Sequence, residues 1–516
     1  MMKCSRRLCL GGLAAFFLFA WGSFVFSSFA GDIKIFMASA HQARYLSSSL
    51  LIGAFRSWEL KSVFSRLLSC VIYRIAILFT AYGTYAFECV CKGVYSLFLL
   101  LCVFLSMKQL FGRDRQKTLW GTVAVSTLFM ASSIDCHMQV EMSSVLLVLL
   151  AFSMYWNAAS AEKKHTWKLL VSGVLIGAVF WFKSLLILLS VSVVAAVCVF
   201  LLETGRKLSV KRMLTVAAGS VLSLAAVSLL VYLINPSEFL EIVYAGSYQG
   251  SFFYPRIMLQ KSVLAFLRNH LDKPAFTPAL WIGLVCLILN LVRHIREQKG
   301  SLVFFHLVLW GMPALFILVS NYYFPYHFVP YLFPAVAEIG DLLLHRTRAR
   351  EFLLEAVSVA AAVWFSVFLS VFSFNNRTSV RLEQEAREST EAFLREIDFD
   401  RSETILYLDD GSGAYMLGNP SRLKYFFPLP LQRMKDDSSH PAHVEALEGA
   451  MSFEGKYISV DYGFFFGGWR YPQLEEKILK EYTRIGSYPA FNPPHAVFPA
   501  EEFEVLSLDL YIRKDP

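Results

Sequence analysis

The chain reads as a mostly α-helical polytopic membrane protein, with about eleven transmembrane helices and a soluble α/β domain at its C-terminal end. Three observations carry that reading. Of 516 residues, 56% are hydrophobic and only 17% charged, and mean hydropathy is +0.49, more apolar surface than a soluble core absorbs. Apolar runs near 20 residues recur along the first two thirds, the length that a hydrocarbon core of about 30 Å demands. After Phe374 the composition turns charged and turn-rich.

The net charge of +8 does not indicate nucleic acid, because the basic residues form no single patch. They fall in short clusters between apolar runs, as in cytoplasmic loops. The nine cysteines, none after Cys286, show neither ligand spacing nor a disulfide framework.

Lys3, Arg6 and Arg7 precede an apolar run from Leu8 to Ala30. Ser28-Phe29-Ala30 resembles a signal cleavage site, but the run exceeds a usual signal core and favours an uncleaved first span. In either case Gly31-Asp32 emerges on the outer side. Placing the basic clusters at 113–117, 163–168, 206–212, 293–299 and 346–350 inside sets the parity of the crossings. The spans are then 8–30, 91–111, 118–134, 142–158, 168–182, 184–203, 213–234, 276–292, 301–320, 324–343 and 352–373.

Two segments resist simple assignment. Residues 67–87 are long enough to cross, but a crossing there would move basic clusters outside, so they read as a helix in the outer interface. The run 169–202 is broken only by Lys183 and splits into two short helices with Lys183 at the outer turn. The resulting domains are a membrane domain, 1–374, with a first outer loop at 31–90, and a soluble extracytoplasmic domain, 375–516. Within the latter, ETILYL and KYISV read as strands.

Four features then face one compartment: Asp32 in GDIKIFMASA, the turn IDCHMQVE at 134–141, Lys183, and the aromatic stretch NYYFPYHFVPYLFP at 321–334. An ionised group in hydrocarbon costs roughly 2.5–3.5 kcal/mol, so acids and bases beside spans tend to face cavities. Taken singly, Asp32 is equally well an interfacial cap, and Asp135 and Glu141 are more simply loop polarity.

Taken in order, these features resemble a family. GDIKIFMASA matches Asp-x-x-x-aromatic-x-x-x-Ala through Asp32, Phe36 and Ala40, the opening of the first outer loop in GT-C-type membrane glycosyltransferases such as protein O-mannosyltransferases and lipid A aminoarabinose transferases. QVEMSSVLLVLL resembles the second outer loop, with Glu141 as its acid. GVLIGAVFWFK matches Gly-x-x-x-Gly followed by lysine through Gly173, Gly177 and Lys183. PYHFVPYLFP resembles a late span through His327, Phe328, Pro330 and Pro334. The chain departs from many relatives in having Ile33 where a second acid follows the first, and in lacking a Pro-Pro near Ser57-Trp58-Glu59.

The resemblance implies an inverting transfer of sugar from a polyprenyl-phosphate donor to a glycolipid, glycan or protein acceptor. The reaction would occur at the outer face of a bacterial inner membrane, with the C-terminal domain outside the cytoplasm and membrane lipids as surroundings. Asp32 is the expected base, with Glu141 or Asp135 supporting it or orienting the acceptor. The expected donor-phosphate cations are Lys183, Lys61, Arg66, Arg256 or Lys261, joined by His327; for most of them contact with lipid headgroups is the plainer reading. The sequence identifies no cofactor; Asp135 and His137 are candidates for a divalent metal. The rival is a lipid-linked glycan transporter or flippase, which would be expected to carry inverted repeats and midplane charges; apart from Lys183 the sequence carries neither.

Overall fold

A computed structural model of the chain describes residues 2–54, 62–132, 138–240, 278–320, 325–344, 377–426, 441–461, 471–491 and 505–514, apart from short interruptions. The predicted span 352–373 lies outside the described residues. The chain is mostly helical and divides into two compact units. One comprises 1–26, 95–230 and 256–373, and the other 27–94, 231–255 and 374–516.

The described helices are α1 Met2–Val25, α2 Gly31–Leu46, α3 Val63–Ala76, α4 Tyr85–Phe111, α5 Arg115–Ser132, α6 Val140–Ser160, α7 Thr166–Phe182, α8 Leu188–Glu203, α9 Val210–Ile234, α10 Pro278–Arg296, α11 Gly300–Ser320 and α12 Leu332–Leu344. Most stand where the apolar runs predict them, but α2 forms within the predicted first outer loop, where no apolar run marks a helix, and α3 covers only part of the predicted interfacial helix 67–87. Five described stretches are long and apolar enough to cross a bilayer: Tyr85–Phe111, Val140–Ser160, Ser184–Glu203, Val210–Ile234 and Gly300–Val319. Gly11–Val25 and Thr166–Phe182 are shorter apolar helices. The predicted span 118–134 corresponds to α5, which Thr118, Thr122, Ser126 and Thr127 make less apolar. At 14 residues, α3 rises about 21 Å. That is too short to cross alone, and turns at 77–84 separate it from α4.

The predicted break at Lys183 is present. Lys183 ends α7 with φ −164° and ψ 118°, and a 3₁₀ turn, Ser184–Ile187, leads into α8. The predicted span 324–343 differs at its start, where Pro325–Tyr331 is a 3₁₀ helix and α12 begins only at Leu332. Pro330, six residues into the segment, lacks the N–H that a continuous α-helix would use there. This 3₁₀ segment packs on α6, which also packs on α7 and α8.

The Gly-x-x-x-Gly of α7 has a packing cause. A Cβ on Gly173 would lie 2.0 Å from the Val216 carbonyl oxygen, one on Gly177 2.6 Å from that of Ser220, and one on Gly219 2.2 Å from that of Leu170. Small residues let the α7 and α9 backbones meet, and Ser220 donates to the Gly173 carbonyl at 3.0 Å. Gly173→Val is expected to force the two helices apart and cost about 3 kcal/mol. The check is a lowered melting temperature in detergent, which Gly93→Val, with open space around its Cβ, does not reproduce.

In the second unit the predicted strands are real. β1 Ile405–Leu408, β2 Tyr457–Val460, β3 Tyr482–Phe491 and β4 Val505–Arg513 form one sheet in the order β1-β2-β4-β3. β1 and β2 are parallel and the other pairs antiparallel. Every residue of β1 and β2 is buried, as the continuous apolar runs ILYL and YISV require of strands covered on both faces. Helical residues 377–396 (α13) and the helices α14 Ser412–Leu417, α15 Pro441–Met451 and α16 Pro472–Glu481 accompany the sheet. A bulge between Arg484 and Gly486 lets Phe393 of α13 sit where a Cβ of Gly486 would be, 2.4 Å away.

Candidate active site

In the first unit, three residues singled out by sequence come together. Glu141 occupies the first turn of α6, where the helix dipole favours a negative charge. Lys183 is presented by the turn after α7, and His327 by the 3₁₀ segment against α6. Lys183 Nζ donates to Glu141 Oε1 at 2.7 Å and lies 3.2 Å from His327 Nε2, while His327 Nε2 is 3.7 Å from Glu141 Oε1.

The cluster is graded in exposure. Glu141 is 1% exposed and Lys183 23%, and His327 is buried. The ammonium also sits 5.1 Å from the Phe316 ring centre, and His327 meets that ring edge-on. Glu141 Oε2 is buried and makes no hydrogen bond among the described residues. Among the described residues Glu141 and His327 use two of its three N–H donors, which leaves Lys183 one for an incoming anion. Just upstream, Met138 holds a left-handed φ of 61°, a conformation that costs a non-glycine residue about 1–2 kcal/mol.

Asp32 lies in the first turn of α2, in the second unit; its side chain is outside the described residues. Its helix is anchored two residues on. Lys34, 3% exposed, pairs with Glu383 of α13 at 2.7 Å. Arg387 bridges Glu383 at 2.7 Å and Glu88 at 2.8 Å. Glu88 also accepts from Tyr415 Oη at 2.9 Å and from the Phe29 backbone N–H at 2.7 Å. Burial pushes the Glu383 carboxyl up, but the charges of Lys34 and Arg387 outweigh it and hold the carboxyl well below the usual carboxylate range.

Further along α2, His41 Nδ1 is 2.8 Å from Tyr73 Oη, Nε2 is 2.9 Å from the Gly418 carbonyl oxygen, and the ring stacks on Tyr82. The carbonyl only accepts, so Nε2 carries the proton and Nδ1 accepts from the tyrosine. Burial, helped by the charge of Arg44, pushes His41 down to about 3. Its folded value lies below the unfolded one near 6.5, so its contribution to stability is full above pH 6.5 and is lost as pH falls towards 3. His41→Gln is therefore expected to narrow its stability gap to the wild type steadily between those limits, by about 1.4 kcal/mol per pH unit. Paired denaturation curves across that range check the slope; a gap independent of pH would contradict it.

Arg66 is buried in α3 rather than displayed to a headgroup. Asp135, His137, Lys61, Arg256 and Lys261 lie outside the described residues. Sequence reasoning missed Lys34, Glu88, Glu383 and Arg387. The available signals were a lysine two residues after Asp32 and an acid opening an apolar helix.

Residues 85–232 match the family described as dolichyl-phosphate-mannose-protein mannosyltransferase. That stretch contains Glu141, Gly173, Gly177 and Lys183 but neither Asp32 nor His327. The fold is similar to that of ArnT from Cupriavidus metallidurans in the apo state, with TM-score 0.55 and 12% identity over 99% of this chain and 98% of that one. It is likewise similar to the same protein bound to undecaprenyl phosphate, with TM-score 0.52 and 12% identity over 97% and 98%. No curated protein sequence matches the chain.

Proposed function

We propose, from the premise that this integral membrane chain is of the GT-C glycosyltransferase type in fold and in its partial family match, that it transfers a sugar from a polyprenyl-phosphate donor to an acceptor at the outer membrane face, with inversion. The observation that carries the reading is the Lys183–Glu141 ion pair, whose ammonium is still partly exposed at 23%. Undecaprenyl phosphate bound to a protein of the same fold supports a lipid phosphate as the leaving group.

In this mechanism the acceptor hydroxyl attacks the anomeric carbon from the face opposite the phosphate. Asp32 takes its proton, the carbon–oxygen bond to the phosphate breaks, and the electron pair leaves on the polyprenyl phosphate. Lys183 stabilises that developing charge. Glu141 and His327 hold the ammonium in place, so its position costs no reorganisation when charge appears. One displacement with no covalent enzyme intermediate inverts the configuration.

The test is mass spectrometry of surface glycolipids and glycoproteins from cells with and without the gene. The expected result is loss of one sugar mass from one acceptor, restored by the wild-type gene and not by Lys183→Ala. An unchanged glycan inventory in cells that normally express the chain would overturn the reading.

A further inference from the structure

At the other end of α8 from Lys183, about 24 Å away along a 16-residue helix, four helices of the first unit converge on a second polar cluster. Glu203 ends α8, Arg293 and His294 lie in the last turn of α10, His306 is in α11, and Glu338 and Asp341 are in α12. Arg293, His294, His306, Glu338 and Asp341 are buried, and the Glu203 side chain is 2% exposed. Arg293 Nη2 lies 2.8 Å from both Glu203 Oε1 and Asp341 Oδ2 and 2.9 Å from His294 Nε2.

We propose that His294, His306 and Asp341 form a binding site for a divalent transition metal of the zinc class, which ties α10, α11 and α12 together. Their candidate ligand atoms all lie within 4.8 Å of one another. His306 is preset for coordination. Its Nδ1 is 2.8 Å from Glu338 Oε1, and Trp310 Nε1 and Asn290 Nδ2 donate to the same carboxylate at 3.1 and 2.8 Å. That leaves Nε2 directed at Asp341, 3.7 Å from Oδ2. A carboxylate behind an imidazole whose other nitrogen faces outward is the usual support of a metal-ligating histidine.

Two further observations point to a cation. His306 Nε2, His294 Nδ1 and Asp341 Oδ1 are buried without a hydrogen-bond partner among the described residues, and such groups cost free energy unless something satisfies them. Among the described residues, Glu338 and Asp341 are also buried acids beside the two imidazoles, and Arg293 divides its guanidinium between Asp341 and Glu203. A divalent ion held by His294, His306 and Asp341 adds positive charge there, with Arg293 then serving Glu203. Two imidazoles with one carboxylate suit zinc and its neighbours rather than calcium or magnesium.

The experiment uses the full-length protein purified in detergent, stripped with a chelator and titrated with Zn²⁺ and then Co²⁺. Metal content is read by plasma mass spectrometry, and the Co²⁺ form by its visible absorption. The wild type should take up one equivalent tied to these residues and melt at a higher temperature when loaded. His306→Ala and Asp341→Asn should lose that equivalent, whereas Glu338→Gln should weaken affinity about 10- to 100-fold. Asp135→Asn/His137→Gln should retain it, which separates this site from the outer-loop candidate. A stripped wild type that takes up no metal and melts unchanged would overturn the proposal, leaving protons as the compensating charge. Uptake that persists in His306→Ala and Asp341→Asn would overturn it as well.

Discussion

Asp32→Asn is expected to lower sugar transfer about 10²- to 10⁴-fold, the usual contribution of a positioned general base, while leaving the melting temperature unchanged. The two effects separate because of where Asp32 sits. It opens α2, and the elements that hold this helix begin beyond it: Ile33 is fully buried, Lys34 is paired with Glu383, and Gln42 joins Asn419 and Ser421 through hydrogen bonds of 2.7 and 2.9 Å. Asparagine keeps the shape and an N-terminal preference close to that of aspartate but takes no proton from an acceptor. Initial rates with a polyprenyl-phosphate sugar, measured beside a thermal unfolding curve, decide the matter. A folded, fully active Asp32→Asn would remove Asp32 from the mechanism.

How much of this was legible in the sequence follows from the distance over which each feature is encoded. Helix positions are local, set by apolar runs and ended by charge or proline, and so the sequence locates α4 through α11 to within a few residues. The Lys183 turn was legible for the same reason, since one charge in a long apolar run must mark a break. β1 and β2 were visible as short apolar runs bounded by turn residues. The late span was misjudged at its start, where Pro330 interrupts the α-helical ladder and the segment is a 3₁₀ helix, a local signal that the hydropathy pattern hides. The cluster of Glu203, His294, His306, Glu338 and Asp341 was invisible, because its members are isolated polar residues spread over four different helices. Lys34 and Glu383 likewise meet only because α2 and α13 pack in one unit. Glu141, Lys183 and His327 were singled out separately by resemblance; that they touch is a property of the fold alone.

That contact yields the second large effect. Lys183→Met removes the partner of a carboxylate that is 1% exposed and whose other oxygen has no hydrogen bond among the described residues. An unpaired buried charge of this kind costs about 3 kcal/mol, somewhat less here because Lys183 itself is partly exposed. Transfer should fall about 10²- to 10³-fold, the loss that follows removal of one preset donor to a developing negative charge. These losses have different origins, and Lys183→Met/Glu141→Gln separates them. With no charge left to compensate, the double variant should recover most of the lost stability, yet transfer should stay as low as in Lys183→Met, because no cation meets the leaving phosphate. Glu141→Gln alone keeps the ammonium but loosens it, so its rate should lie between those of the wild type and Lys183→Met. Recovery of transfer together with stability in the double variant would show that Lys183 serves only to neutralise Glu141, and the phosphate-binding role would have to pass to another cation.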